Sequence, residues 1–158
     1  MTATQTPRIH GRDAIVEEVT YPQSIDTVWR ALTDAALLER WLMASSDFEP
    51  RLGQRFSFHT KPAPGFSGLI ECVVDELDPP TVLGYSWWGG GGNPRTHVRF
   101  ELATVSDGTR LRLEHTGFAA GGIRGELVRR IMGSGWHGKI LEQALRALLR
   151  ELESHADA

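Results

Sequence analysis

The chain has 158 residues, 41% hydrophobic and 23% charged, with 17 basic against 20 acidic side chains and a formal net charge of −3. That is enough chain for one ordinary domain with its own core. The acid excess argues against a nucleic-acid partner, which needs a basic patch to neutralise phosphates. A single cysteine, Cys72, leaves no internal disulfide framework and no cysteine-rich zinc site. No stretch approaches the ~18 consecutive apolar residues of a membrane span, so no membrane partner is expected. Residues 1–12 are polar and lack the apolar segment of a signal peptide. They read as a flexible tail ahead of one domain over 13–155, and the expected location is cytoplasmic.

Ala14 to Tyr21 carries three β-branched residues and predicts a first strand, which Pro22 ends. Ser24 is a candidate N-cap, and Ile25, Val28, Trp29 and Leu32 follow at helical spacing. Thr33-Asp34 restarts the pattern, and Leu37, Leu38, Trp41 and Leu42 predict a second short helix bent against the first.

The texture then changes to strands broken by turn residues. Gln54–His59, Gly68–Leu77, Thr81–Trp88, Thr96–Val105 and Thr109–Phe118 are the expected segments, giving six strands with the first. Asp107-Gly108 predicts a tight hairpin of type I′. The run Gly89-Gly90-Gly91-Gly92 with Asn93-Pro94 predicts a mobile connection.

A helical stretch follows, beginning near residue 123 or 136 and ending near 153. Its first part is weakly periodic, and Gly133, Gly135 and Gly138 loosen the junction. From Trp136 on, Leu141, Leu145, Leu148 and Leu152 form one stripe that must lie on the sheet. The order predicts an α+β architecture, a curved antiparallel sheet gripping the C-terminal helix, with room for a ligand between them.

Several segments arrive in one order: Ser24 to Asp34, Glu39-Arg40-Trp41-Leu42, and Leu77-Asp78-Pro79-Pro80 with Leu83, Tyr85 and Trp87. Gly108-Thr109-Arg110-Leu111, His115-Thr116-Gly117-Phe118 and Gly135-Trp136 complete the set, which spans roughly residues 14 to 153. Together they resemble the activators of the heat-shock-protein-90 ATPase, C-terminal-domain type, within the START-like (SRPBCC) helix-grip superfamily. The resemblance implies the same helix-grip fold and brings in a chaperone-cofactor role as a candidate function. It also admits a cyclase- or hydrolase-type enzyme, since the superfamily includes both.

Strand alternation sets Trp87 and Phe100 toward the long helix, with Trp88 and Arg99 facing away. It turns His97 outward and His115 inward. Trp29 is expected in the core, and His137 near the cavity mouth. His59, His97 and His115 do not converge by parity, so no metal site is expected, and no motif points to a cofactor. The adjacent acids Glu17-Glu18 and Asp75-Glu76 are expected to diverge to opposite faces. Gly65-Phe66-Ser67-Gly68 falls short of a nucleophile elbow, and the glycine run lacks the helix or lysine of a phosphate loop.

The leading expectation is non-catalytic binding of a small, mainly hydrophobic molecule. Its walls would be Trp41, Phe58, Leu83, Tyr85, Trp87, Phe100, Trp136 and Ile140, with His115, Tyr85 and the indole N–H groups supplying orienting hydrogen bonds. A partner-binding module, engaging a chaperone or a second copy of the chain, is the first alternative and would need a broad exposed apolar patch. An enzyme using His115 as its acid or base is the second.

Overall fold

The computed structural model describes residues 14–156. The expected tail at 1–12 lies outside them. Seven strands form one antiparallel sheet: β1 (Ala14–Tyr21), β2 (Ala44–Ser46), β3 (Arg55–His59), β4 (Leu69–Asp78), β5 (Val82–Trp88), β6 (Arg95–Val105) and β7 (Gly108–Thr116). Their order across the sheet is β1-β7-β6-β5-β4-β3-β2, so the first strand returns to pair with the last. Six of these are the expected strands. The extra one, β2, is three residues with no β-branched side chain, and pairing with Ser57 to His59 alone makes it a strand.

Helices α1 (Ile25–Thr33) and α2 (Ala35–Trp41) follow β1 as a bent pair. The Ser24 hydroxyl accepts from Thr27 N–H at 3.3 Å, the N-cap expected from sequence. Asp34 then ends α1 and caps α2, its carboxylate accepting from the amides of Ala36 and Leu37. Trp29, expected in the core, is only half-buried at its margin.

After β7 a 3₁₀ turn at Phe118–Gly121 breaks at Gly122, whose φ is 60°, and one continuous helical run follows: α3 (Gly122–Ser134), an 11-residue π-helical segment (Gly135–Leu145) and α4 (Arg146–Ala156). The helix lies across the inner face of the sheet, completing the α+β helix-grip arrangement. Tyr21 ties the wide π turn down, since its hydroxyl donates to the Leu141 carbonyl at 2.8 Å. Alternation on β5, β6 and β7 is as expected: Leu83, Tyr85, Trp87, Val98, Phe100, Leu111 and Leu113 are all buried.

Two local expectations are corrected. The β6–β7 hairpin turns on Ser106-Asp107, because Val105 pairs with Gly108. Neither turn residue has positive φ; Gly108 alone takes it, at 139°, where a Cβ would lie 2.0 Å from the Tyr21 carbonyl. The turn is therefore not type I′. The register of β4 against β5 shifts between Val74 and Glu76. That bulge puts both acids on the outer face, Asp75 bonded to His97 at 2.8 Å and Glu76 to Arg99 at 3.1 Å. Glu17 and Glu18 do diverge, toward His137 and Arg112 respectively.

Candidate functional site

Inside the grip, the sequence-predicted wall is a packed aromatic cluster. Trp87 lies 5.5 Å from Phe58, 6.1 Å from Trp136 and 5.3 Å from His115, measured between ring centroids. Phe100 meets Trp41 and Trp136 edge-on at 6.3 and 6.0 Å. Leu83 and Tyr85 are buried in the same core.

The polar groups of this cluster bond to one another. Trp136 Nε1–H donates to His115 Nδ1 at 3.2 Å, which places the histidine proton on Nε2. Nε2–H then donates to Thr96 Oγ1 at 2.7 Å, and that hydroxyl donates to the Trp87 carbonyl at 3.0 Å. Both imidazole nitrogens are committed. Burial, reinforced by the nearby charge of His97, lowers the His115 pKa from 6.5 to about 3, so the ring is neutral across the physiological range. Trp41 Nε1–H donates to the Ala31 carbonyl at 2.9 Å and is equally unavailable. Tyr85 Oη is buried without a hydrogen-bond partner, and burial raises its pKa well above the ordinary value.

Open space lies beside this cluster, toward the start of the long helix. A cavity of about 950 Å³ opens between α3 and the β3–β4 and β5–β6 loops. Trp87, Thr96, Ile70 and Phe118 form its floor, and Leu42 and Met43, just after α2, form one side. Pro64 and Phe66 line it from one loop, Gly89, Asn93 and Pro94 from the other. The roof is α3, through Ile123, Leu127, Val128, Ile131 and Met132, with Ile140 beyond.

Only Trp87 and Ile140 of the nine predicted residues line this cavity. Trp41, Phe58, Leu83, Tyr85, Phe100, His115 and Trp136 stand in the core behind it. The physical reason is bulk: aromatic side chains from three directions fill the space they would otherwise enclose.

The roof residues were missed, although their signal is in the sequence. Ile123, Leu127 and Ile131 recur every four residues, one stripe of a helix. They are left 92%, 58% and 64% exposed. Gly125 fixes the height of the roof, because a Cβ there would sit 1.9 Å from the Phe118 carbonyl.

The glycine run is part of the rim and is organised by Asn93. Its side-chain amide donates to the carbonyls of Gly65, Gly89 and Gly90, at 3.1, 3.3 and 3.0 Å. Gly90 and Gly91 take φ of 83° and 55°, as such a tight turn requires. The connection expected to be mobile does lie at the cavity rim, and Asn93 bonds it to the β3–β4 loop.

His137 does not approach the mouth; it is 76% exposed and pairs with Glu17. Trp88 points to the outer face but is half-buried, with the Arg95 guanidinium 3.8 Å above its ring. Cys72 is free and buried, and burial raises its pKa, so it behaves as a small apolar residue. Among the described residues no group of three metal-ligating side chains could hold an ion, and no helix is long and apolar enough to cross a membrane.

The family model described as activator of Hsp90 ATPase homolog 1-like protein matches residues 22–150. The chain belongs to that family. Protein MLL2253 from Mesorhizobium loti is similar at 28% identity and a TM-score of 0.72, over 92% of this chain and 99% of its own. CalU16 from Micromonospora echinospora is similar at 25% identity and a TM-score of 0.57, over 91% of this chain and 86% of its own. DynU16, a putative protein in the dynemicin biosynthetic locus, shares the fold at 22% identity and a TM-score of 0.70, over 90% of this chain and 48% of its own. No curated protein matches the chain.

Proposed function

We propose that this member of the family holds one small, mainly hydrophobic molecule, without chemistry, in the cavity beneath α3. One observation carries the reading: three large aliphatic side chains of α3 remain exposed at the edge of an apolar cavity big enough for a ligand. Trp87 and Ile140 belong to the binding surface; the other predicted wall residues support it from behind. Burying about 200 Å² of ligand surface at ~25 cal/mol per Å² gives about 5 kcal/mol before association costs, a ceiling of roughly 0.2 mM that rises only with more buried area.

The closed hydrogen-bond chain through His115 supports holding over turnover, because a general acid or base needs a free nitrogen within reach of substrate. The same exposed stripe favours one second reading, the docking of a chaperone or another copy of the chain. Native mass spectrometry of freshly purified protein separates the two. A co-purified small molecule, lost on replacing Leu127 with Asp, is the expected result. A dimer or chaperone complex lost on the same change, with no small molecule bound, would overturn the ligand reading.

A further inference from the structure

Among the described residues the cavity has one charged side chain on its lining, Arg124, and no ion pair answers it. Arg124 stands in the first turn of α3, at the mouth, with its side chain laid across both rim loops. Nη2 donates to the Gly65 carbonyl at 2.9 Å and Nε to Asn93 Oδ1 at 3.2 Å. Both partners are neutral. Glu126, the acid nearest in sequence, is committed to Arg129 and Arg130 at 2.7 and 3.1 Å. Among the described residues no carboxylate forms an ion pair with Arg124.

A guanidinium carries five N–H donors, so these two bonds leave three of them for a ligand. Glycine seats the side chain against its loop, since a Cβ at Gly65 would lie 2.5 Å from Nη2. The helix end adds to the field: α3 begins with no side-chain cap and no acid in its first turn, so its partial positive charge is not offset there.

We propose that Arg124 selects ligands with an oxyanion head, a carboxylate foremost, on an apolar body. The body would lie on Trp87, Leu127 and Ile131, and the head would meet the free edge of the guanidinium at the mouth. This rests on the ligand reading above and adds the chemical class of the ligand. Because the mouth is open to water, the charge contributes a preference that salt screens, while apolar contact supplies the affinity.

The test uses decanoate and 1-decanol, of equal chain length, each displacing the neutral fluorophore N-phenyl-1-naphthylamine at pH 7.5. The unmodified protein should bind decanoate about fivefold or more tighter than decanol, with the gap shrinking in 1 M salt. Arg124→Gln should abolish the gap between the two probes, whatever loss both share from the rim contacts it removes. Arg124→Lys keeps the charge without the fork over Gly65, so it should keep most of the gap. That result distinguishes charge from any loosening of the rim. Equal affinity for the two probes in the unmodified protein, or a gap that survives Arg124→Gln, overturns the proposal while the cavity reading stands. Failure of the fluorophore and both probes to bind overturns the cavity reading and the proposal with it.

Discussion

The two ends of the C-terminal helix lie over the same sheet and meet different fates. In α4, Leu148 and Leu149 are 3% and 0% exposed, in a helix packed on α1 and the π segment. In α3, Ile123, Leu127 and Ile131 carry the same amount of hydrocarbon and stay in contact with solvent. At the α4 end, α1 closes on the stripe. At the α3 end the sheet offers Trp87, Ile70 and Thr96 between two turn-rich loops, and the space stays open. Amphipathicity alone therefore does not say whether a helix is core or roof; what stands opposite decides.

The contrast is broken most forcefully in the core. Trp136→Ala should cost about 5 kcal/mol in urea unfolding, because it removes a fully buried indole and strips His115 Nδ1 of its donor. A loss below about 2 kcal/mol would mean that the cluster is loosely packed and that the distinction between filled and open regions fails.

The next effect is on acid stability. The unfolded chain protonates His115 near its ordinary pKa of 6.5, whereas the folded protein does so only near 3. Stability from this group is fully present above about pH 6.5 and falls as the pH drops toward 3. At pH 4 the loss should be on the order of 3 kcal/mol. His115→Gln, destabilised at neutral pH, should lose less on the same acidification. Equal slopes for the two proteins would show that the ring is accessible to protons and water.

A smaller effect sharpens the same boundary. Tyr85 Oη is buried without a partner, so Tyr85→Phe should raise stability by about 1 kcal/mol. A loss of similar size would reveal a hydrogen bond made by that hydroxyl.

Much of this was legible in the sequence because alternation and helical spacing report which face is apolar. Leu83, Tyr85 and Trp87 on one strand and Val98, Phe100 and Leu102 on the next face inward as their parity requires. The Ser24 cap and the paired short helices are where local chemistry predicts them. Whether an apolar face encloses space or fills it depends on side chains arriving from distant segments. Trp136 fills the middle, so seven of the expected wall residues became core. The bulge at Asp75 was equally hidden, since it is set by pairing with Gly84 and Tyr85 and not by any feature of its own strand.

The most direct test pairs one residue from each end of the helix. Ile131→Ser and Leu149→Ser remove similar hydrocarbon from α3 and α4, and each variant is measured for urea stability and for N-phenyl-1-naphthylamine binding. The account predicts that Leu149→Ser loses about 3 kcal/mol. Ile131→Ser should change stability by less than about 0.5 kcal/mol and weaken the probe about tenfold. Ile131→Ser that destabilises like a core substitution, or that binds the probe as before, would contradict the reading of α3 as the roof of a ligand site.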